Sequence, residues 1–177
     1  MPSEWSLGYP RYMIDDGCPH IEAGQLLDWP ALEFYSENTL ALTESKSKNA
    51  SEIADHRYMI TAEVVYISDT AAVIDFGLKA IRSRDLLPAG CKEGDFVSGV
   101  IYLGLPLCTE VVPDKVHASL AYRWNVQKVI ADLTPFTEIR GSGFIRDRSQ
   151  VRYQEVGSTE VLEAEAYVLR CREELKS

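Results

Sequence analysis

Two carboxylates, a thiol and an imidazole stand within six residues, in the segment DDGCPH that runs from Asp15 to His20. A hard cation would accept the carboxylates, and zinc would accept the thiolate and the imidazole. Structural zinc needs four ligands, however, and no second cluster of cysteine and histidine stands at metal-ligand spacing. Because Asp-Gly and Cys-Pro are also common in turns, we expect a turn here, with no bound metal or cofactor.

Groups that could act as catalytic bases or nucleophiles are isolated from one another. His56 and His117 stand alone, and the segment GSG at 141–143 lacks the spacing of the G-x-S-x-G nucleophile elbow. The letters DFG at 75–77 occur without the glycine-rich and catalytic loops that accompany them in protein kinases. The sequence predicts no catalytic residue, and we expect a protein that is not an enzyme.

The best basic cluster consists of Lys79, Arg82 and Arg84. Phosphate binding depends on such cations, but this cluster stands among acids and the chain carries a net charge of −9. Nucleic acid is therefore an unlikely partner by sequence, and these three residues are kept as the contacts of an alternative function.

The four cysteines, Cys18, Cys91, Cys108 and Cys171, are scattered and form no CxxC pair. The first 30 residues contain no apolar segment typical of a secretory signal, and no stretch approaches the ~18 apolar residues of a membrane span. We therefore expect a cytoplasmic protein with four reduced thiols and no disulfide.

These groups are positioned by what we expect to be one domain over residues 1–177, in three parts. Residues 1–56 form an acidic, aromatic-rich, loop-rich segment that packs on the rest, with 43–56 as its linker. Residues 57–136 form the β core, and 137–177 form a C-terminal extension, of which 159–174 is strand or helix. Prolines and glycines break the first part, where only EAGQLLDW predicts a short helix or turn and 31–42 a bent strand.

Alternating apolar residues predict strands in the second part. They run through 57–68, with Tyr58 to Tyr66 on one face, and through 71–81, with Ala72 to Ala80 on one face. In 95–105, Val97, Gly99, Ile101, Leu103 and Leu105 share a face, and a further strand follows at 120–133. We therefore predict a mainly β fold, either a small antiparallel barrel or a strongly curved sheet or sandwich with an irregular N-terminal segment.

The run ITAEVVYISDTAAVIDFGLKA, followed by KEGDFVSGVIYL, resembles part of the oligonucleotide-binding (OB) and S1-type barrels. The similarity covers residues 57–106 and lies in a strand, a tight turn, a second strand ending near Phe-Gly and a later Gly-Asp turn. It implies a five-stranded barrel and the binding of nucleic acid or protein.

Residues 1–56 combine ten acids and three bases, a balance of −7, with six of the 17 aromatic residues. Aromatic side chains anchor interfaces, and acids steer a basic partner towards them. We therefore expect a protein-binding module of the inhibitor or immunity type, which neutralises a basic partner such as a toxin enzyme. An OB-like single-stranded nucleic-acid-binding protein is the first alternative, and an enzyme with an unrecognised site is the second. The expected partner contacts are Asp15, Asp16, Glu22, Trp29, Glu33, Tyr35 and Glu37.

Overall fold

The computed structural model describes residues 3–29, 31–109, 120–139 and 143–174, and they are mostly β, as predicted. A short helix, α1, spans Arg11–Asp15. The strands are β1 (Trp5–Pro10), β2 (Leu26–Trp29), β3 (Glu33–Tyr35), β4 (Ala41–Leu42), β5 (Asn49–Ala54), β6 (Arg57–Ile67), β7 (Ala71–Asp75), β8 (Lys79–Ser83), β9 (Phe96–Gly104), β10 (Tyr122–Asp132), β11 (Phe136–Ile139), β12 (Gly143–Arg146), β13 (Tyr153–Val156) and β14 (Ala166–Glu173).

Five strands close into a barrel in the order β9-β3-β8-β7-β6, because β6 pairs back onto β9. Strands β6, β7 and β8 form an antiparallel meander, and the short β3 bridges β8 in parallel and β9 antiparallel. The predicted core stretch thus supplies four of the five strands. The acidic N-terminal segment supplies the fifth, so part of this segment belongs to the barrel wall.

The predicted faces of the central strands are confirmed. On β9, Val97, Ile101 and Leu103 are buried, as is Leu105 just beyond it. On β6, alternate residues from Tyr58 to Val64 are buried, until a bulge between Val64 and Tyr66 shifts the register against β7. Alternation places these side chains inside the barrel, where burial of apolar area stabilises the fold.

The predicted single strand over 71–81 is wrong in one respect, because it is two strands joined by a tight turn at residues 76–78. Gly77 has a φ of 110°, and its backbone N–H donates to the Asp75 carboxylate at 2.9 Å. A side chain would be strained at this φ, so glycine and the preceding aspartate together favour the turn. Phe76 and Leu78 are still buried, which preserves the apolar alternation that concealed the turn.

Beyond the barrel the same hydrogen-bonded sheet continues in the order β13-β10-β14-β1-β9, and we call this part the second sheet; β2 pairs with the first half of β10. Strands β11 and β12 pair separately. The predicted alternation in β10 fails after Val126, because a bulge between Val126 and Lys128 shifts the register against β14. Val129 and Ala131 are consequently buried, whereas Lys128 is exposed. Of the two alternatives left open for 159–174, the strand is the one that forms, as β14, and it begins only at Ala166.

One prediction for the N-terminal segment is wrong, and another holds only in part. Residues 49–54 of the expected linker form β5, which pairs with β6. In EAGQLLDW the expected turn forms at residues 23–24, but residues 26–29 are strand β2. Both sequences carry weak local signals, so the neighbouring strand decides their conformation. Trp5, Tyr9, Trp29 and Phe34 are core residues, while Tyr12 and Tyr35 are exposed.

The barrel and the second sheet meet where β1 crosses β9, at the facing residues Gly8 and Gly104. A Cβ at Gly104 would lie 3.1 Å from the Gly8 carbonyl oxygen, closer than most Cβ contacts in proteins, so a side chain here would require the β1 backbone to shift slightly. Beyond β9, the Trp29 indole N–H donates to the Pro106 carbonyl oxygen at 3.0 Å. We call these contacts, with the disulfide described next, the junction.

Cys18 and Cys108 form a disulfide with Cα atoms 5.7 Å apart, so the prediction of four reduced thiols is wrong for this pair. Cys91 and Cys171 are free and buried. Sequence spacing did not reveal the pair, because 90 residues separate its members and the fold alone brings them together. In the described part of the chain, no helix is long and apolar enough to cross a membrane.

Candidate functional site

Three hollows meet around one side chain, Tyr102, on the outer face of β9. Their volumes are about 180, 220 and 600 Å³. His56 lines the first and third hollows, and Arg57 lines the second and third. Arg57 is the first residue of β6, and His56 directly precedes it. Arg57 pairs with Tyr102 where β6 and β9 lie side by side.

The smallest hollow carries three tyrosines, Tyr12, Tyr35 and Tyr102, which we call the tyrosine face. Tyr12 from α1 is 55% exposed and Tyr35 from β3 is 51% exposed. The rings of Tyr35 and Tyr102 lie 6.1 Å apart, a spacing typical of aromatic pairs. Large aromatic side chains exposed together on a concave surface are uncommon on monomers and mark a binding surface.

Acidic groups stand among these tyrosines. Glu33 forms an ion pair with Arg82, and both line the same hollow. The Tyr102 hydroxyl donates to a carboxylate oxygen of Glu37, which lines the adjacent hollow. The structure therefore brings Glu33, Tyr35 and Glu37 together, as three of the seven partner contacts predicted from the sequence.

The other four predicted contacts do not line the three hollows. Asp15 ends α1 and pairs with Arg11 at 3.2 Å, and Asp16 follows it; both are exposed on the helix that carries Tyr12. Glu22 is exposed and bridges Ser158, away from the three hollows. Trp29 is only 4% exposed, since its ring packs in the core at the junction, and it is not available as a surface anchor.

The basic residues of the nucleic-acid alternative do not form one cluster. Lys79 and Arg82 lie on opposite faces of β8, because successive residues of a strand alternate. Arg82 is neutralised by Glu33, and Arg84 lies in the short 3-10 helix Arg84–Leu86. A phosphate backbone would therefore not find the three cations on one surface.

The largest hollow, which we call the Arg57 hollow, lies between the β5–β6 turn and the end of the second sheet. The Tyr153 hydroxyl donates to the Asp55 carboxylate, and burial, together with this hydrogen bond, raises the pKa of Tyr153 above its usual value. Opposite them, Arg146 pairs with Asp132 at 3.1 Å. Both carboxylates in the lining thus already have a partner.

Arg57 is the remaining cation of this hollow. Its guanidinium carbon lies 5.5 Å from the centre of the Tyr102 ring, close enough for a cation–π contact. Its Nε atom is buried and has no hydrogen-bond partner among the described residues. Because a buried donor without a partner is costly, this nitrogen marks a position for an acceptor.

Sequence reasoning missed Tyr12, Tyr102 and Arg57. The available signal was limited to Tyr102 on the outer face of a strand that is apolar on both faces, and to the pair His56 and Arg57 after a polar segment. That the two lie opposite each other is seen only in the structure. Within the described ranges, no group of three or more His, Cys, Asp or Glu side chains could hold a metal ion. His117 of the sequence analysis lies outside those ranges.

Comparisons with known proteins do not assign this chain to a family. No protein-family model matches the chain, and no curated protein or solved structure matches it either. Function is therefore inferred from the residues of the site.

Proposed function

We propose that this chain is a protein-binding module whose tyrosine face receives a basic protein partner. In this role it acts as an inhibitor or immunity-type protein that neutralises a basic partner such as a toxin enzyme. The observation that carries the proposal is the joint exposure of Tyr12 and Tyr35 beside Tyr102, on a chain with a net charge of −9.

Tyrosine suits the centre of such an interface. Its ring supplies contact area at a small cost in conformational entropy, and hot spots of interfaces are enriched in it. Tyr102 is already held by the Glu37 carboxylate and by its neighbours on β6, so little order is lost when a partner covers it.

Acids around the tyrosines supply the second component. Glu37 lies beside Tyr102, and Asp15 and Asp16 end the helix that carries Tyr12. Exposed carboxylates at a rim attract a cationic surface over about 8–10 Å at physiological salt, and they raise association rates more than they lower dissociation rates. Of the predicted contacts, these three acids with Glu33 and Tyr35 remain in the proposal.

The test begins with a pull-down from the native host, followed by kinetics of the captured pair. Tyr35→Ala should weaken binding by about 2 kcal/mol, roughly thirtyfold in Kd, mainly through faster dissociation. Asp15→Asn with Asp16→Asn should slow association and reduce its salt dependence.

Two matched controls lie outside the three hollows. Leu26 is 56% exposed on β2, and Glu155 is an exposed acid on β13 that pairs with Lys128. Leu26→Ala and Glu155→Gln should leave both rate constants unchanged. A partner whose binding is insensitive to Tyr35→Ala, or the absence of any protein partner, would reject the proposal.

The closed five-stranded barrel favours a second candidate, an OB-like single-stranded nucleic-acid-binding protein. In it the tyrosines would stack on bases, but the predicted phosphate contacts Lys79, Arg82 and Arg84 could not all act together, because Lys79 and Arg82 lie on opposite faces of β8. We rank it below the first because Arg82 is paired and the net charge opposes phosphate. Micromolar, salt-sensitive binding of an oligonucleotide, weakened by Arg84→Gln, would reverse this order.

The location proposed with this function is the cytoplasm. Disulfides are rare in that compartment, so the Cys18–Cys108 bond bears directly on this part of the proposal. Measurement of the free thiols of protein alkylated inside the native host decides it: a constitutively oxidised pair places the chain in an oxidising compartment.

A further inference from the structure

We propose that the Arg57 hollow is a binding site for a small monocarboxylate with an apolar body, held by the guanidinium of Arg57. This site adjoins the tyrosine face through Tyr102, which lines both, but it does not depend on the existence of a protein partner. At about 600 Å³, it falls within the ~300–1,000 Å³ typical of small-molecule sites.

The first step is the unsatisfied donor. Arg57 Nε is buried and finds no hydrogen-bond partner in the part of the chain that the structure describes, while the carboxylates of the lining, Asp55 and Asp132, are engaged by Tyr153 and Arg146. The two carboxylates of the lining therefore already have donors, and the group that is left without a partner is the Arg57 donor. An acceptor brought by a ligand would satisfy that donor.

The second step is the shape and charge of that acceptor. A guanidinium presents its N–H groups as a planar fork that matches a carboxylate in two parallel hydrogen bonds. A phosphate dianion would fit less well, because Asp55 and Asp132 also line the hollow and would repel a second negative charge. A cationic ligand would leave Arg57 Nε without an acceptor and would be repelled by Arg57 and Arg146.

The third step is the rest of the ligand. Apart from its charged and hydroxyl groups, the lining offers the rings of Tyr102 and Tyr153 and the side chains of Ala54, Val151 and Ala166. Arg57 already lies over the Tyr102 ring, so a carboxylate bound to it extends along an aromatic wall. A flat or compact apolar body fits this wall better than a sugar or polyol.

The experiment titrates the full-length protein with benzoate by calorimetry or NMR, beside acetate, inorganic phosphate and benzylamine. Benzoate should bind most tightly, acetate at least tenfold more weakly because it lacks the ring, and phosphate and benzylamine more weakly still. Arg57→Gln should weaken benzoate binding at least tenfold. Arg57→Lys should restore only part of it, since lysine keeps the charge but lacks the fork.

Asp55→Asn is expected to strengthen binding, an effect that a folding defect could not produce. It removes a negative charge from the lining, keeps an acceptor for Tyr153, and suits the φ of 52° at this position, which asparagine tolerates. Benzoate should bind this variant severalfold more tightly than the parent protein. Lys128→Gln, an exposed cation outside the hollow, should change nothing.

Three results would overturn the proposal. Equal benzoate affinity in the parent and in folded Arg57→Gln would show a nonspecific surface effect. Phosphate binding tighter than benzoate binding would assign a different anion. No binding at millimolar benzoate, with Asp55→Asn equally inert, would mean that water alone satisfies Arg57.

Discussion

The five-stranded barrel and the second sheet are assembled from the chain in different ways. Four of the barrel strands, β6 to β9, come from the single run 57–104. The second sheet pairs β1, near the start of the chain, with β14, near its end, so that Trp5 faces Cys171. A barrel of neighbouring strands is stabilised by local contacts, whereas a sheet of distant strands depends on what holds it to the barrel. The junction is therefore where the stability of the whole domain should be most sensitive.

The largest effect is expected at Trp29. Trp29→Ala should lower the free energy of unfolding by about 3–5 kcal/mol, because it removes a buried ring and leaves the Pro106 carbonyl without its donor. Urea unfolding measures the loss. Leu26→Ala on the same strand is the control and should stay within about 0.5 kcal/mol, since Leu26 is exposed. Similar small losses in both variants would mean that the junction does not depend on Trp29.

The disulfide should come next. Its two cysteines are 90 residues apart, and Cys18→Ala with Cys108→Ala should cost about 2–4 kcal/mol, chiefly by freeing the unfolded chain. Thiol titration of the denatured protein provides a direct check. It should count two groups, Cys91 and Cys171, before reduction and four after it. Four groups in protein kept from reductants would contradict the bond.

Gly104→Ala should cost about 1–3 kcal/mol, because its Cβ would press on the Gly8 carbonyl where β1 crosses β9. Thermal or urea unfolding detects a loss of this size. Gly157→Ala is the matched control: a Cβ there meets nothing within 4 Å, and the expected change is within about 0.5 kcal/mol. If the two variants are equally stable, the crossing has room to adjust.

The smallest effect is one of pH and belongs to the second sheet. Burial raises the pKa of the Cys171 thiol on β14 from its ordinary value of 9.0 to about 12. Since the folded pKa is the higher one, this contribution to stability is complete below pH 9 and is lost as the pH rises from 9 towards 12. Near pH 9.5 the loss is below about 1 kcal/mol.

Cys171→Ala isolates this effect. The variant starts from a lower stability, but its free energy of unfolding should fall less steeply above pH 9 than that of the parent. Parallel curves for the two proteins would show that the buried thiol does not titrate on unfolding. Tyr9 and Tyr122, whose pKa values burial raises to about 12, add a further decline common to both proteins.

The barrel core could be predicted from the sequence because its strands show a clear alternation of apolar and polar residues. Alternate residues are buried from Tyr58 to Val64 and, apart from the half-buried Gly99, from Val97 to Leu105. The turn at Gly77 was not predicted, because Phe76 and Leu78 continue the apolar alternation through it. Bulges after Val64 and Val126 also escaped, since an inserted residue leaves no compositional trace.

Contacts between segments that are far apart in the chain could not be predicted from the sequence. The bridge between Glu33 and Ile81 that completes the barrel, and the bond between Cys18 and Cys108, each join segments about 50–90 residues apart. The candidate site was therefore found only in part. Tyr35 was predicted as an anchor from the acidic, aromatic-rich composition of its segment. Tyr102 and Arg57 can be recognised as site residues only once the pairing of β6 with β9 is known, because that pairing places them side by side.

The position of β3 in the barrel has a consequence for biosynthesis. Its three residues leave the ribosome well before either neighbour, because the flanking strands are β8 and β9. At ~5–20 residues per second, residues 33–35 wait several seconds until Gly104 has been made. During that interval Phe34, which is fully buried in the finished barrel, has no barrel to enter. We therefore expect the nascent chain to expose this apolar segment until translation has delivered β9, since only then can the barrel close.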